Sequence, residues 1–294
     1  MPRAKRLAGE ASPILKWAGG KGQLLTELLQ RVPGKFGTYH EPFVGGGALY
    51  FALWNRDRIR RAVLSDVNAD LIATYQAVRD DVEGVIAALR RHRNEEHYFY
   101  EIRALDPAVL PAAVRAARII YLNKTCFNGL YRVNSRGFFN VPFGDNPGAT
   151  ICDVERLRAA SRALADADLR CESFEAVLGR ARPGDFVYFD PPYQPLSKTS
   201  YFTAYARGGF GEAEQRRLAD VFSKLAARGV HALLSNSETP LTRDLYAGFR
   251  RDVVDARRII NSKATRRGKI AEILVLGASR PSRTVRQRKA KKQA

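Results

Sequence analysis

Short apolar runs bounded by turn residues recur along the chain at residues 40–44, 62–64, 186–189, 231–234 and 273–276. Runs of this length, closed by Gly, Pro or Asp, predict buried strands. Between them apolar positions recur at helical spacing over 24–29, 70–91, 157–164 and 212–227. Strands alternating with helices predict an α/β fold on a largely parallel sheet. From Tyr75 to Asn146 the alternation lapses. Val85, Leu89, Tyr98, Ile102 and residues 113–122 keep the helical period, and the stretch ends in the Gly, Asn and Arg-rich CFNGLYRVNSRGFFNVPFG. That predicts a helical insert carrying an exposed loop or hairpin. The expected organisation is a flexible leader over 1–11, a sheet domain formed by 12–74 and 147–278, the insert over 75–146, and a tail over 279–294.

Charge narrows the function. Lys and Arg number 49 against 30 Asp and Glu, a net +19, and seven of the cations lie from Arg280 onward. The remaining excess of twelve is spread over the body. Such a field draws polyanions, nucleic acid first and an anionic membrane second. No apolar run approaches the ~20 residues of a spanning helix, and the start MPRAKRLAGE leads into no apolar stretch. Neither membrane nor secretion is expected, and a cytoplasmic location is. Cys126, Cys152 and Cys171 are odd in number and lack metal-ligand spacing, so reduced thiols and no metal are expected.

Three motifs carry chemistry. In KWAGGK, paired glycines before a helical pattern offer backbone N–H groups to an anion, and Lys21 adds a charge; a plain turn is the alternative. In EPFVGGG a glycine-rich turn follows a strand and precedes an apolar helix, and Asp66 ends the next strand about twenty residues on. A carboxylate so placed holds ribose hydroxyls, so an adenosine-containing cofactor fits, while the lack of GxGxxG argues against NAD. In VYFDPPY an apolar strand ends in a carboxylate, two prolines and a ring. Pro-Pro cannot continue a ladder and fixes a rigid turn. Asp190 and the Pro191 carbonyl could each accept a hydrogen of a ring-conjugated amine, localising its lone pair while Tyr193 stacks on the ring; an Asx-turn beside a core tyrosine is the alternative.

Taken in order, KWAGGK, EPFVGGG, SDVN, NGLYRVNSRGFFNVPFG and FDPPY resemble the DNA adenine methyltransferases of the Dam type. The resemblance runs from Ile14 to about Leu276 and continues in PPYQPLSKTSYFTAY, in Leu234-Ser235-Asn236-Ser237, in Arg258-Ile259-Ile260, in Arg266-Arg267 and in Glu272-Ile273-Leu274. It implies a Rossmann-like S-adenosylmethionine-dependent methyltransferase fold, with 75–146 as the target-recognition insert. The implied reaction moves a methyl group from S-adenosylmethionine to the N6 amine of adenine in double-stranded DNA, within GATC. Trp17 and Lys21 would contact the cofactor, Asp66 its ribose, Phe43 to Gly47 (with Gly45 and Gly47) its floor, and Ser173 and Phe174 its adenine. Asp190, Pro191, Pro192 and Tyr193 would form the catalytic pocket, Asp190 also lying near the cofactor. Leu130, Arg132 and Pro142 match base-reading positions, Lys16 matches a guanine contact, and Phe127, Asn128 and Asn134 complete the DNA-binding set. Asp145 departs from the pattern, an acid where a base would grip phosphate. A monomer is expected.

Physical reasoning converges on the same chemistry. A base inside a duplex hides its amine, so an enzyme acting on it must flip it out. Arg132 suits guanine O6/N7, and Leu130 and Pro142 suit a thymine methyl. Phe127 could wedge into the stack, although a phenylalanine after an apolar helix is more often core. Two rivals stay open: methylation of an RNA base or protein glutamine, and a non-catalytic DNA-binding protein with a vestigial fold.

Overall fold

The computed structural model describes residues 9–17, 21–22, 24–193, 210–257 and 269–277, the side chains of 255–257 and 269–270 excepted. Outside them lie most of the leader, the pair Gly19-Gly20, the segment after DPPY through TAY, Arg258-Ile259-Ile260, Arg266-Arg267 and the basic tail.

Among the described residues seven strands form one sheet in the order β3-β2-β1-β4-β5-β7-β6. They are β1 (Tyr39–Glu41), β2 (Ala62–Asp66), β3 (Ala167–Cys171), β4 (Phe186–Phe189), β5 (His231–Ser237), β6 (Arg250–Arg257) and β7 (Lys269–Gly277). The first five are parallel, with β1 between β2 and β4. β7 runs antiparallel to both β5 and β6. This is the expected Rossmann-like methyltransferase arrangement, and the strand order reverses between β1 and β4, where open α/β sheets place their ligands.

Strand side chains alternate between two apolar layers. Phe186, Tyr188, Leu233 and Leu274 join the core on one face, and Val187, Phe189, Leu234, Ile273 and Val275 join that on the other. Continuous burial of β4 explains why its sequence reads as an unbroken apolar run. Helices α1 (Leu25–Gln30), α2 (Ala48–Asn55) and α3 (Ala69–Asp80) pack on the first face. Later in the chain α9 (Glu212–Ala227) covers the second.

The helix expected over 70–91 is two helices. Asp81 leaves helical geometry (φ −146°, ψ 62°), and its carboxylate accepts the Gly84 N–H at 2.9 Å, starting α4 (Val82–Leu89) afresh. The insert boundary at Tyr75 thus falls inside α3, whose own start is capped by Asn68. After α4 come α5 (Glu96–Ala104) and α6 (Ala112–Thr125), then the loop region, and α7 (Val154–Leu164) leads into β3. α8 (Val177–Arg180) and α10 (Pro240–Leu245) complete the described helices of this type.

Candidate active site and DNA-facing surface

Three strand ends build the site. Beyond β1, Pro42 to Gly47 turn into α2, with the Val44 N–H on the Ser65 carbonyl (3.0 Å) and the Gly47 N–H on the Val44 carbonyl (2.6 Å). Gly45 and Gly47 have φ of +44° and +67°, where side chains are strained. A Cβ on Gly45 would also lie 2.8 Å from Trp17 Cδ1. At the end of β2, Asp66 accepts main-chain N–H groups of Gly45 (3.2 Å) and Asn68 (3.0 Å). Burial pushes its carboxyl up to about 6 against the pull of those bonds. The Tyr75 hydroxyl donates to the Gly45 carbonyl at 2.7 Å, tying the turn to α3. Phe43 stacks on Phe174 with ring centroids 5.3 Å apart, and Phe210 meets Phe43 edge-on at 5.6 Å. Ser173 is exposed, its hydroxyl turned onto Glu175.

Asp190 follows β4 directly. Its Oδ1 lies 2.8 Å from Lys21 Nζ and accepts the Ser235 hydroxyl at 3.1 Å. Ser235 in turn lies 2.9 Å from the Tyr188 hydroxyl. Burial pushes the Asp190 carboxyl up, and Lys21 and Ser235 oppose that shift. The Lys21 ammonium also stands 4.5 Å from the Tyr193 ring centroid. The Tyr193 hydroxyl donates to Glu272 Oε2 of β7 at 2.5 Å. Behind the two prolines, Gln215 of α9 donates to the Pro192 carbonyl at 3.2 Å and is itself held by Asn236 Nδ2 at 2.9 Å. A hydrogen-bond acceptor, a cation and a fixed ring thus converge at the reversal of strand order.

The second group lies around the loop after α6. Phe127, Asn128 and Gly129 form one tight turn, with Asn128 at φ +56°. Phe127 is 52% exposed, so its reading as a core residue fails: the chain has left the helix and the ring faces outward. Bridges Cys126–Phe143 and Val133–Phe139 close a hairpin. At its tip the Asn134 side chain accepts the N–H groups of Arg136 (2.9 Å) and Phe138 (3.1 Å), so Asn134 builds the turn. Arg132 is exposed; its Nε donates to Asn140 Oδ1 at 2.7 Å and one Nη to the Asn140 carbonyl at 3.1 Å, which leaves the outer edge of the guanidinium facing away. Pro142 is exposed, and Leu130 is half-buried against the core. Lys16 is exposed beside Gly129, its main chain held by Asn123.

The residues singled out in the sequence therefore fall into two clusters. Trp17, Lys21, Phe43, Gly45, Gly47, Asp66, Phe174 and Asp190 to Tyr193 gather at the strand ends. Lys16 and the hairpin residues form the other, and the stacking of Trp17 on Tyr131 (5.2 Å) joins the two. Tyr188, Ser235, Asn236 and Glu272 sit in quoted motifs without an assigned role, and Gln215 had no signal, since its contacts are made only in the folded chain. Among the described residues no cluster of His, Cys, Asp and Glu forms a metal site, and no helix is long and apolar enough to cross a membrane.

A model of D12 class N6 adenine-specific DNA methyltransferases matches residues 17–260. The chain is 42% identical over 271 residues to a type II methyltransferase, M1.LlaDCHI of Lactococcus lactis subsp. cremoris, covering 90% of this chain and 94% of the relative. It is 39% identical over 286 residues to type II methyltransferase M.MjaIII of Methanocaldococcus jannaschii, covering 91% and 99%. To the DNA adenine methylase of Escherichia coli K12 it is 37% identical over 267 residues, covering 90% and 94%. The match spans both the strand-end cluster and the hairpin, and the chain belongs to the D12 class of N6 adenine-specific DNA methyltransferases.

Proposed function

We propose that this enzyme methylates adenine within GATC in duplex DNA, using S-adenosylmethionine, and takes the target base out of the stack into the pocket between Asp190 and Tyr193. The observation that carries this reading is the Asp190 carboxylate, fixed at the end of β4 beside a ring anchored at its far edge. An exocyclic amine is a poor nucleophile while its lone pair is delocalised into the ring. Acceptors at Asp190 and the Pro191 carbonyl localise the pair, and Tyr193 stacks on the base. The described contacts of Lys21 and Ser235 with Asp190 both fall on Oδ1, so Oδ2 can accept the amine, and a ligand carboxylate would draw Lys21 towards the cofactor.

The strand-end cluster suits the cofactor. Asp66 is held by main-chain N–H groups of Gly45, Val67 and Asn68, and a carboxylate with about four lone-pair sites keeps acceptor capacity for ribose hydroxyls. Phe43, half-buried and backed by the buried Phe174, offers flat apolar surface to an adenine, with Ser173 at the edge, and Trp17 and Lys21 bound the amino-acid end. S-adenosylmethionine supplies, when bound, a methyl already activated on sulfonium. The protein's part is alignment and exclusion of water.

Residues 75–146 serve in this reading as the target-recognition unit. Arg132 is pinned by Asn140 and can present two N–H groups to guanine, Leu130 and Pro142 can meet a thymine methyl, Lys16 can reach a guanine, and Phe127 is placed to enter the stack. Asn128 and Asn134 shape the turns beside them. Long-read sequencing of DNA methylated by the purified protein reads base and context together: N6-methyladenine concentrated in GATC is expected, and another context would overturn the assignment. Asp190→Ala should reduce turnover ~10²–10³-fold with the fold retained; activity within tenfold of wild type would remove this residue from the chemistry.

A further inference from the structure

The turn after β4 fixes the backbone of Asp190 to Pro192 through its prolines and the Gln215 bond, but neither fixes the ring of Tyr193. A tyrosine held only at its Cα can swing. Here its far end is pinned by Glu272, 79 residues away in sequence and on the antiparallel β7, in register with Ser237 of β5. Glu272 is costly to place there: it is partly buried, and among the described residues the charge of Lys21 offsets both it and a second carboxylate, Asp190. Its neighbours Ile273, Leu274 and Val275 supply the packing of the strand, so stability alone gives no reason for an acid at this position.

We propose that Glu272 is a positioning residue for methyl transfer: it accepts the Tyr193 hydroxyl and fixes the ring plane against which the target base stacks. The inference rests on the reading of the Asp190–Tyr193 pocket as the site of the flipped adenine. A charge-assisted O–H···O⁻ bond is among the stronger ones available to a side chain, and a misplacement of ~1 Å at a reacting centre costs ~10²-fold in rate.

The test uses the full chain with duplexes carrying 2-aminopurine at the target position, together with kcat and KM on unmodified DNA. Glu272→Ala should lower kcat ~10²-fold and weaken the stacking quench of 2-aminopurine, with the Kd for cofactor within twofold in calorimetry. Glu272→Gln keeps a carbonyl acceptor and should retain a third or more of wild-type kcat. Tyr193→Phe should lose as much as Glu272→Ala, and the double variant no more than either. Additive losses, a Gln variant as impaired as the Ala variant, or a defect confined to cofactor affinity would overturn the inference alone. If Glu272→Ala fails to fold, the Gln and Phe variants decide: Gln near wild type with Phe impaired supports positioning, and the reverse overturns it. A wild type without 2-aminopurine response, together with an unaffected Asp190→Ala, would overturn the pocket reading and the inference with it.

Discussion

Glu41 closes β1 with 3% of its surface exposed and accepts the Tyr39 hydroxyl at 2.8 Å. Burial pushes its carboxyl up to about 8; Asp190 adds to the shift, while Tyr39 and Lys21 oppose it. The folded protein therefore keeps this proton until about pH 8, whereas the unfolded chain releases it near 4.5. The folded state binds more protons across that window, so this group's contribution to stability falls as pH rises through it. Glu41→Gln supplies a neutral amide whose carbonyl can still take the Tyr39 hydroxyl. Its Tm should exceed that of wild type above about pH 8, and the gap should close towards about pH 5. A gap independent of pH in thermal melts would show the carboxyl ionised throughout. EPFVGGG was legible as a strand-to-turn motif, yet the depth of Glu41 was not: an acid in a sequence reads as surface, and only the sheet packed above it makes it buried.

Elements were legible where one face is apolar and obscure where charge interrupts. β4 and β5 announced themselves, but β3 (ADLRC) and β6 (RRDVVDAR) lie at the two edges of the sheet, where the exposed Arg170, Arg250 and Arg251 blunt the edge. Strand direction was equally hidden, since β7, antiparallel to both its neighbours, has the same kind of apolar pattern as the parallel strands of the sheet. The hairpin depends on a contact no local pattern reveals. Asn123 of α6, 1% exposed, accepts the Lys16 N–H at 2.7 Å and donates to the carbonyls of Lys16 (2.8 Å) and Gly129 (3.0 Å). One side chain thus joins the segment bearing Lys16 and Trp17, the helix, and the turn bearing Phe127. Asn123→Ala leaves these groups without their partner, each at ~1–3 kcal/mol, and at ~2–4 °C per kcal/mol for a chain of this size Tm should fall by several degrees. In the proposed reading, preference for cognate over near-cognate duplex should fall further than turnover on the cognate site, because the turn proposed to meet the bases loses its support while Asp190 keeps its own. An unchanged preference ratio in the variant would separate this tie from recognition.

At the scale of the molecule, the order of motifs was enough to expect the sheet and the two clusters, while the network around Asp190 was not readable because it closes through tertiary distance: Lys21, Ser235 and Glu272 meet only when the sheet forms. Net charge, in contrast, is a property the sequence states outright. Seven cations and no acid lie between Arg280 and Ala294, against +19 for the whole chain. Each phosphate neutralised adds ~0.9 to the slope of log affinity against log salt on duplex DNA. Deleting 280–294 should therefore weaken binding to non-specific duplex and flatten that slope by up to ~6 if all seven cations engage phosphate. The ratio of methylation on GATC to near-cognate duplexes should survive. Base edges are read by bidentate or apolar groups in fixed geometry, the role proposed for the hairpin around Arg132, whereas a run of Lys and Arg without aromatic residues suits phosphate contacts. Fluorescence anisotropy on non-specific duplex at several salt concentrations, with the methylation ratio measured alongside, checks both halves of the prediction. A ratio that collapses on truncation would place the tail within recognition and leave the hairpin insufficient to read the site.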